Sequence, residues 1–210
     1  MATLDVLTLD DAKAALNVNA TNVDDVELAS WVTAVSQRLD KLVGPVVKRT
    51  IIDETHDGGH HEVFLEHYPV RSITTLTEYD GITAVALAAE TNASRPEDGY
   101  LPDRYRPDRA LLSSRIRRRR TGADAMFASG RSNVVVSYEA GRFDSTETVG
   151  DRYKAAARFL LINFWRSQED SVGQSAEFDV PMLSFPAFAI PRVVREMLAG
   201  EVQEPRVMVA

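Results

Sequence analysis

The chain has 210 residues, no cysteine and a formal net charge of −7. That length can bury a core without covalent staples, the lack of cysteine excludes disulfides and thiolate chemistry, and the acidic balance argues against general nucleic-acid binding. No apolar run approaches the ~20 residues that span a bilayer, and the acidic opening MATLDVLTLDDAK lacks the apolar centre of a signal peptide, so the expectation is a soluble chain made in the cytoplasm, with no membrane partner.

Leu9 to Asn17 predicts a first short helix, with Thr8 as N-cap and Asp11 in the capping-box position. A polar connector follows. Asp25 to Pro45 then places Leu28, Trp31, Val32, Val35, Leu39, Leu42 and Val43 on one side of a helix about 28 Å long. Gly44 and Pro45 stop it. Its stripe is too wide to stay wet, and the segment expected to cover it is Glu147–Ser167, capped by Thr146 and apolar on most sides. Trp31, Val35 and Leu39 are expected to be buried by that later helix.

Between the helices the period changes to two. Val46–Thr55, Glu62–Tyr68, Arg71–Tyr79 and Ile82–Ala88 predict a meander of short antiparallel strands, and Leu111–Arg119 and Asn133–Glu139 predict two further strands. Asp57-Gly58-Gly59 and Asp80-Gly81 supply turns. Thr91–Asp108, with three prolines, and Thr121–Ser132 read as loops. After the last long helix comes a polar linker, then Val180–Ile190, which is apolar and broken by prolines, then a short helix over Pro191–Ala199. The fold class expected is α+β. Residues 1–45 and 146–170 would form a small helical bundle, 46–145 an inserted antiparallel strand-rich module, and 171–210 an extended C-terminal docking arm.

Three constellations could carry function. His56, His60, His61 and His67 lie among Glu54, Asp57, Glu62 and Glu66; these are good ligand types, but the spacing fits no standard zinc pattern, and the reading is a solvated hairpin tip with no metal or cofactor. Arg115, Arg117, Arg118, Arg119 and Arg120 form a basic block in an acidic chain. Guanidinium groups can take phosphates, or they can pair with acids of the same or a neighbouring subunit, and the residues leave both open. The apolar arm must dock on something, its own chain or a partner, with Phe185, Phe188, Ile190, Val193, Val194 and Met197 as candidate interface residues. No Gly-rich phosphate loop follows a strand and no nucleophile elbow is present, so no catalytic residue is assigned.

The order of these blocks resembles the head-to-tail connector (adaptor) proteins of long-tailed bacteriophages and prophages. The resemblance rests on LTLDDAKAALNV (Leu7–Val18), DDVELASWVTAVSQRLDKLVGPVV (Asp24–Val47), FLEHYPVRSITTLTEYDG (Phe64–Gly81), and NVVVSYEAGRF (Asn133–Phe143) leading into YKAAARFLLINFWRSQED (Tyr153–Asp170). It implies a structural virion protein without catalysis. Such a protein would assemble as a ring of about twelve copies beneath the portal, extend the DNA channel and join the capsid to the next connector or tail-completion protein. The arm would then bind the portal or a sister subunit, and DNA would pass without sequence-specific contact. The alternatives are another tail-interface or completion protein, or a nucleic-acid-binding module built on the arginine block.

Overall fold

The computed structural model describes residues 4–18, 24–104, 111–173 and 190–201. The chain divides into a unit made of Met1–Val47 with Phe143–Ala210, and a second unit, Lys48–Arg142. The first is helical and the second strand-rich, an α+β fold as expected.

In the helical unit α1 spans Leu9–Leu16 and α2 Asp25–Val43. Thr8 Oγ1 accepts from the Asp11 N–H at 3.0 Å while Asp11 Oδ2 accepts from the Thr8 N–H at 3.4 Å, closing the capping box. Asp24 caps α2 by accepting from the Val26 N–H at 2.9 Å. Gly44 ends that helix at φ 77°, where a side chain would be strained. Leu28, Val32, Val35, Leu39, Leu42 and Val43 are buried in one core with Tyr153, Ala156, Ala157, Leu160 and Leu161 of α3 (Asp151–Gly173). Of the three residues expected to be covered, Val35 and Leu39 are buried and Trp31 is half-buried. Trp31 meets Phe164 and Trp165 edge-on at centroid distances of 5.5 and 5.2 Å.

α3 starts later than expected. A 3₁₀ turn occupies Thr146–Thr148, because the Thr146 hydroxyl does not cap the helix: it donates to the Asp5 carbonyl at 2.7 Å inside the core. Val6 is tied down in the same way, its N–H donating to Ser36 Oγ at 2.9 Å. Buried polar groups with short partners of this kind pin the N-terminal segment against the helices.

Asp11 also joins α1 to α3, accepting from Arg158 at 2.6 Å and Lys154 at 3.3 Å. Burial alone would raise its pKa, but bonds from Arg158, Lys154 and Thr8 hold it below the usual carboxylate range. A depressed folded-state pKa contributes stability that is present above the unfolded value, near 4, and is lost as pH falls through the folded one. Asp11→Asn is expected to cost about 1–2 kcal/mol at pH 7. The gap from the parent chain should narrow toward pH 3, as read by urea midpoints across that range. A gap that stays constant with pH would refute the assignment.

The strands are β1 (Arg49–His56), β2 (Glu62–Phe64), β3 (Val70–Asp80), β4 (Thr83–Ala86), β5 (Ala88–Ala89), β6 (Asp98–Arg104), β7 (Leu112–Arg120), β8 (Ala123–Asp124) and β9 (Val134–Ala140). They form one sheet in the order β1-β9-β3-β7-β6-β5, with β2 and β8 on β7 and β4 on β3. This corrects the meander. The last strand lies between the first and the third, so Arg49 stands opposite Ala140, and the module's entry and exit points coincide. Within Thr91–Asp108, read as a long loop with room for one short extended piece, the extended piece is β6, antiparallel to β7. β5 and β6 are the parallel pair in an otherwise antiparallel sheet. β9 is paired on both sides and buries Val134, Val136, Tyr138 and Ala140, with the alternate residues half-buried. Val63, Leu65, Val70, Leu76, Leu87, Tyr100, Ile116 and Phe127 complete this core.

Candidate functional surfaces

The arginine block is strand β7, and its period of two sends alternate guanidiniums to opposite faces. Ser114, Ile116 and Arg118 point inward, while Arg115, Arg117 and Arg119 are half-buried on the other side. Every member has acidic partners in its own unit. Arg115 pairs with Glu62 and, at 3.7 Å, with Asp103. Arg117 reaches Asp103 at 3.2 Å. Arg119 holds Glu90 at 2.9 Å and also Asp124. Arg120 reaches Asp98 at 3.3 Å.

Arg118 is the centre of this network. Its side chain has no exposure, and that of Glu78 has 4%. The Arg118 Nε donates to Glu78 Oε1 at 3.1 Å, Nη2 to Glu78 and to Asp98 at 2.7 Å, and Nη1 to the carbonyls of Gly99 at 3.2 Å and Arg119. Glu78 Oε2 accepts from the Ala128 N–H at 3.1 Å. Burial by itself would lower the guanidinium pKa; Glu78 and then Asp98 reverse that and raise it. Arg118 in turn holds Asp98 below the usual carboxylate range. All five arginines thus have acidic partners within their own chain. The signal that sequence reading lacked was the set of acids Glu62, Glu78, Glu90, Asp98 and Asp103, which only the tertiary fold brings to the arginines.

The histidines do not sit on a hairpin tip. β1 pairs with β9 and β2 with β7, so Asp57–His61 is a crossover rather than a turn between partners. Its backbone is anchored, with the Gly58 N–H donating to Gly130 O at 2.9 Å and to Asn133 Oδ1 at 2.8 Å. His60 and His61 are exposed, and His61 Nδ1 lies 3.0 Å from the Ala125 carbonyl oxygen. His56 Nε2 lies 2.8 Å from Glu54 Oε1. The Tyr138 hydroxyl donates to Glu54 Oε2, and the Glu66 N–H donates to Glu54 Oε1 at 2.9 Å. Burial would raise the Glu54 pKa, but the bonds from His56, Tyr138 and Glu66 lower it overall. Burial, with Glu54 beside it, pushes the Tyr138 hydroxyl up. Glu54, Glu66 and His67 each bring one ligand atom to within 4.8 Å of the others.

Of the candidate arm residues, Phe185 and Phe188 lie outside the described residues. The rest belong to or adjoin α4 (Arg192–Met197). Val194 is wholly buried with Leu198 in the helical unit's own core, and Ile190 packs against that core. Val194 is therefore a core residue of its own chain, because the amphipathic turn docks on α3. Met197 is half-buried and Val193 is 42% exposed. α3 presents a second apolar side that the sequence list omitted: Phe159 is 49% exposed, and Ile162, Phe164 and Trp165 are half-buried. No described helix is long and apolar enough to cross a membrane.

No protein-family model and no curated protein matches the chain. Among solved structures, a chain described as belonging to the neck of an empty GTA particle computed with C6 symmetry shares the fold, with a TM-score of 0.56 and 15% identity. The match covers 98% of this chain and 93% of that one, so both the helical and the strand-rich units have counterparts in it.

Proposed function

We propose that this chain is a structural neck protein of a phage-like particle, a connector that assembles as a ring between head and tail, extends the DNA channel and performs no catalysis. The observation that carries this reading is the end-to-end fold match to a chain from the neck of a GTA (gene transfer agent) particle. Two features of the chain are consistent with it. The exposed Phe159 and the half-buried Ile162 and Trp165 on α3 are apolar surface suited to a subunit contact. The internally paired arginines leave a chain of net charge −7 without a dedicated phosphate patch on β7, which suits a conduit that DNA slides through. The ring would meet the portal on one side and a further connector or tail-completion protein on the other, in the virion. The same pairing counts against the nucleic-acid-binding alternative.

Mass photometry and negative-stain imaging of the full chain, alone and mixed with the portal protein of the same particle, test the proposal. Rings with a mass near six or twelve copies of the 23.3 kDa chain, alone or on the portal, are expected. A monomer that stays monomeric and ignores the portal overturns it.

A further inference from the structure

Glu54 on β1 and the pair Glu66–His67, between β2 and β3, come from segments that share no ladder, yet they are bound to one another. The Glu66 N–H donates to Glu54 Oε1, the His67 N–H donates to the Tyr138 hydroxyl at 3.1 Å, and that hydroxyl donates to Glu54 Oε2. The Glu54 side chain is only 11% exposed, and His56 Nε2 lies 2.8 Å from its Oε1. Two carboxylates thus converge beside an imidazole. Among the described residues, no lysine or arginine pairs with either of them. A carboxylate has about four acceptor positions. Glu54 commits three, to His56, Glu66 and Tyr138, which leaves about one for a further ligand.

Two carboxylates and one imidazole are a zinc-type donor set. The hydrogen bonds behind Glu54 are of the kind that orient a ligating carboxylate. The present maximum separation of 4.8 Å between ligand atoms must shrink to about 3.4 Å for a tetrahedral shell with ~2.1 Å bonds. Glu66 is exposed and His67 half-buried, so rotation of these two side chains supplies that movement while Glu54 stays fixed. We propose that Glu54, Glu66 and His67 bind one zinc ion, with water completing the shell, and that the ion clips β1 to the segment entering β3. The inference does not rest on the connector reading, since its test needs neither ring nor portal.

Tag-free full chain, stripped with chelator and dialysed, is titrated calorimetrically with zinc chloride, with calcium chloride as a hard-cation comparison. One equivalent of zinc should bind, raising the melting temperature by on the order of 5 °C at a hundredfold excess over the dissociation constant. Glu66→Gln and His67→Asn, both checked for native circular dichroism, should each weaken zinc at least about tenfold. A His60→Asn/His61→Asn double variant should bind as the parent does. No zinc uptake by the parent chain, parent-like uptake by Glu66→Gln and His67→Asn, or loss of uptake in the His60/His61 variant would each overturn the site. Calcium binding at equal strength would overturn the assignment to zinc.

Discussion

Arg118→Met is expected to destabilise the chain by about 3–5 kcal/mol, the range found when one partner of a buried ion pair is removed. The reason lies in what remains. Glu78 is as enclosed as Arg118, and without the guanidinium its Oε1 faces no donor, while Oε2 keeps only the Ala128 N–H. Asp98 and the carbonyl of Gly99 lose bonds as well. The double variant Arg118→Met/Glu78→Met should recover more than half of the loss, because apolar replacement of a whole buried pair is often neutral. Denaturant unfolding followed by circular dichroism measures both. A single-variant cost under about 1 kcal/mol would show that water reaches the pair. The outer arginines should behave differently: Arg120, with its side chain 63% exposed, should cost less than about 1 kcal/mol on truncation.

Leu161→Ala should cost about 2–5 kcal/mol, transfer and cavity terms together. Leu161 is wholly buried between α3 and the α2 stripe, among the largest fully enclosed side chains of the chain. Phe159→Ala, two positions earlier on the outer side of the same helix, is the internal contrast. It should change the stability of the isolated chain by less than about 0.5 kcal/mol and instead weaken self-association. Trp31 and Trp165, 5.2 Å apart in that unit, report its unfolding by fluorescence. Equal destabilisation by the two substitutions would mean that Phe159 is covered by its own chain.

The helices were legible because their signals are local. The capping box at Thr8, the three-and-four spacing of the α2 stripe and the Gly44 stop need only neighbours in sequence to act. β9 was legible for the same reason, its run of three valines with Tyr138 being rich in β-formers. β6 was not. Pro102 and the acids Asp98 and Asp103 give it the composition of a loop, and what makes it a strand is the arginine-bearing partner on which it lies. On β7 the position that alternation reserves for an apolar side chain is taken by Arg118, whose partner Glu78 is 40 residues away in the chain. Charge pairing at that range has no sequence period. The Glu54–His67 cluster was half visible: the ligand types were counted, but a hairpin was assumed where the chain crosses over, and the convergence was lost with it. On α4, amphipathic spacing marks an apolar side without saying who covers it, so Val194 could be read as interface when it is core.

Pairing the first strand of the module with its last has a consequence for how the chain closes. Seen from the helices, the module is a loop of roughly a hundred residues, whose closure entropy alone would cost on the order of 4 kcal/mol. Once Arg49 lies against Ala140, that cost has been met inside the module, and the flanking residues emerge side by side, with the Phe143 N–H within 3.0 Å of the Val46 carbonyl oxygen. The long-range contacts of α2 with α3 then become, in effect, those of a hairpin. With β1 and β9 paired, the sheet acts as a clasp, and residues can be added to or removed from its other loops without lengthening the path the helices must close.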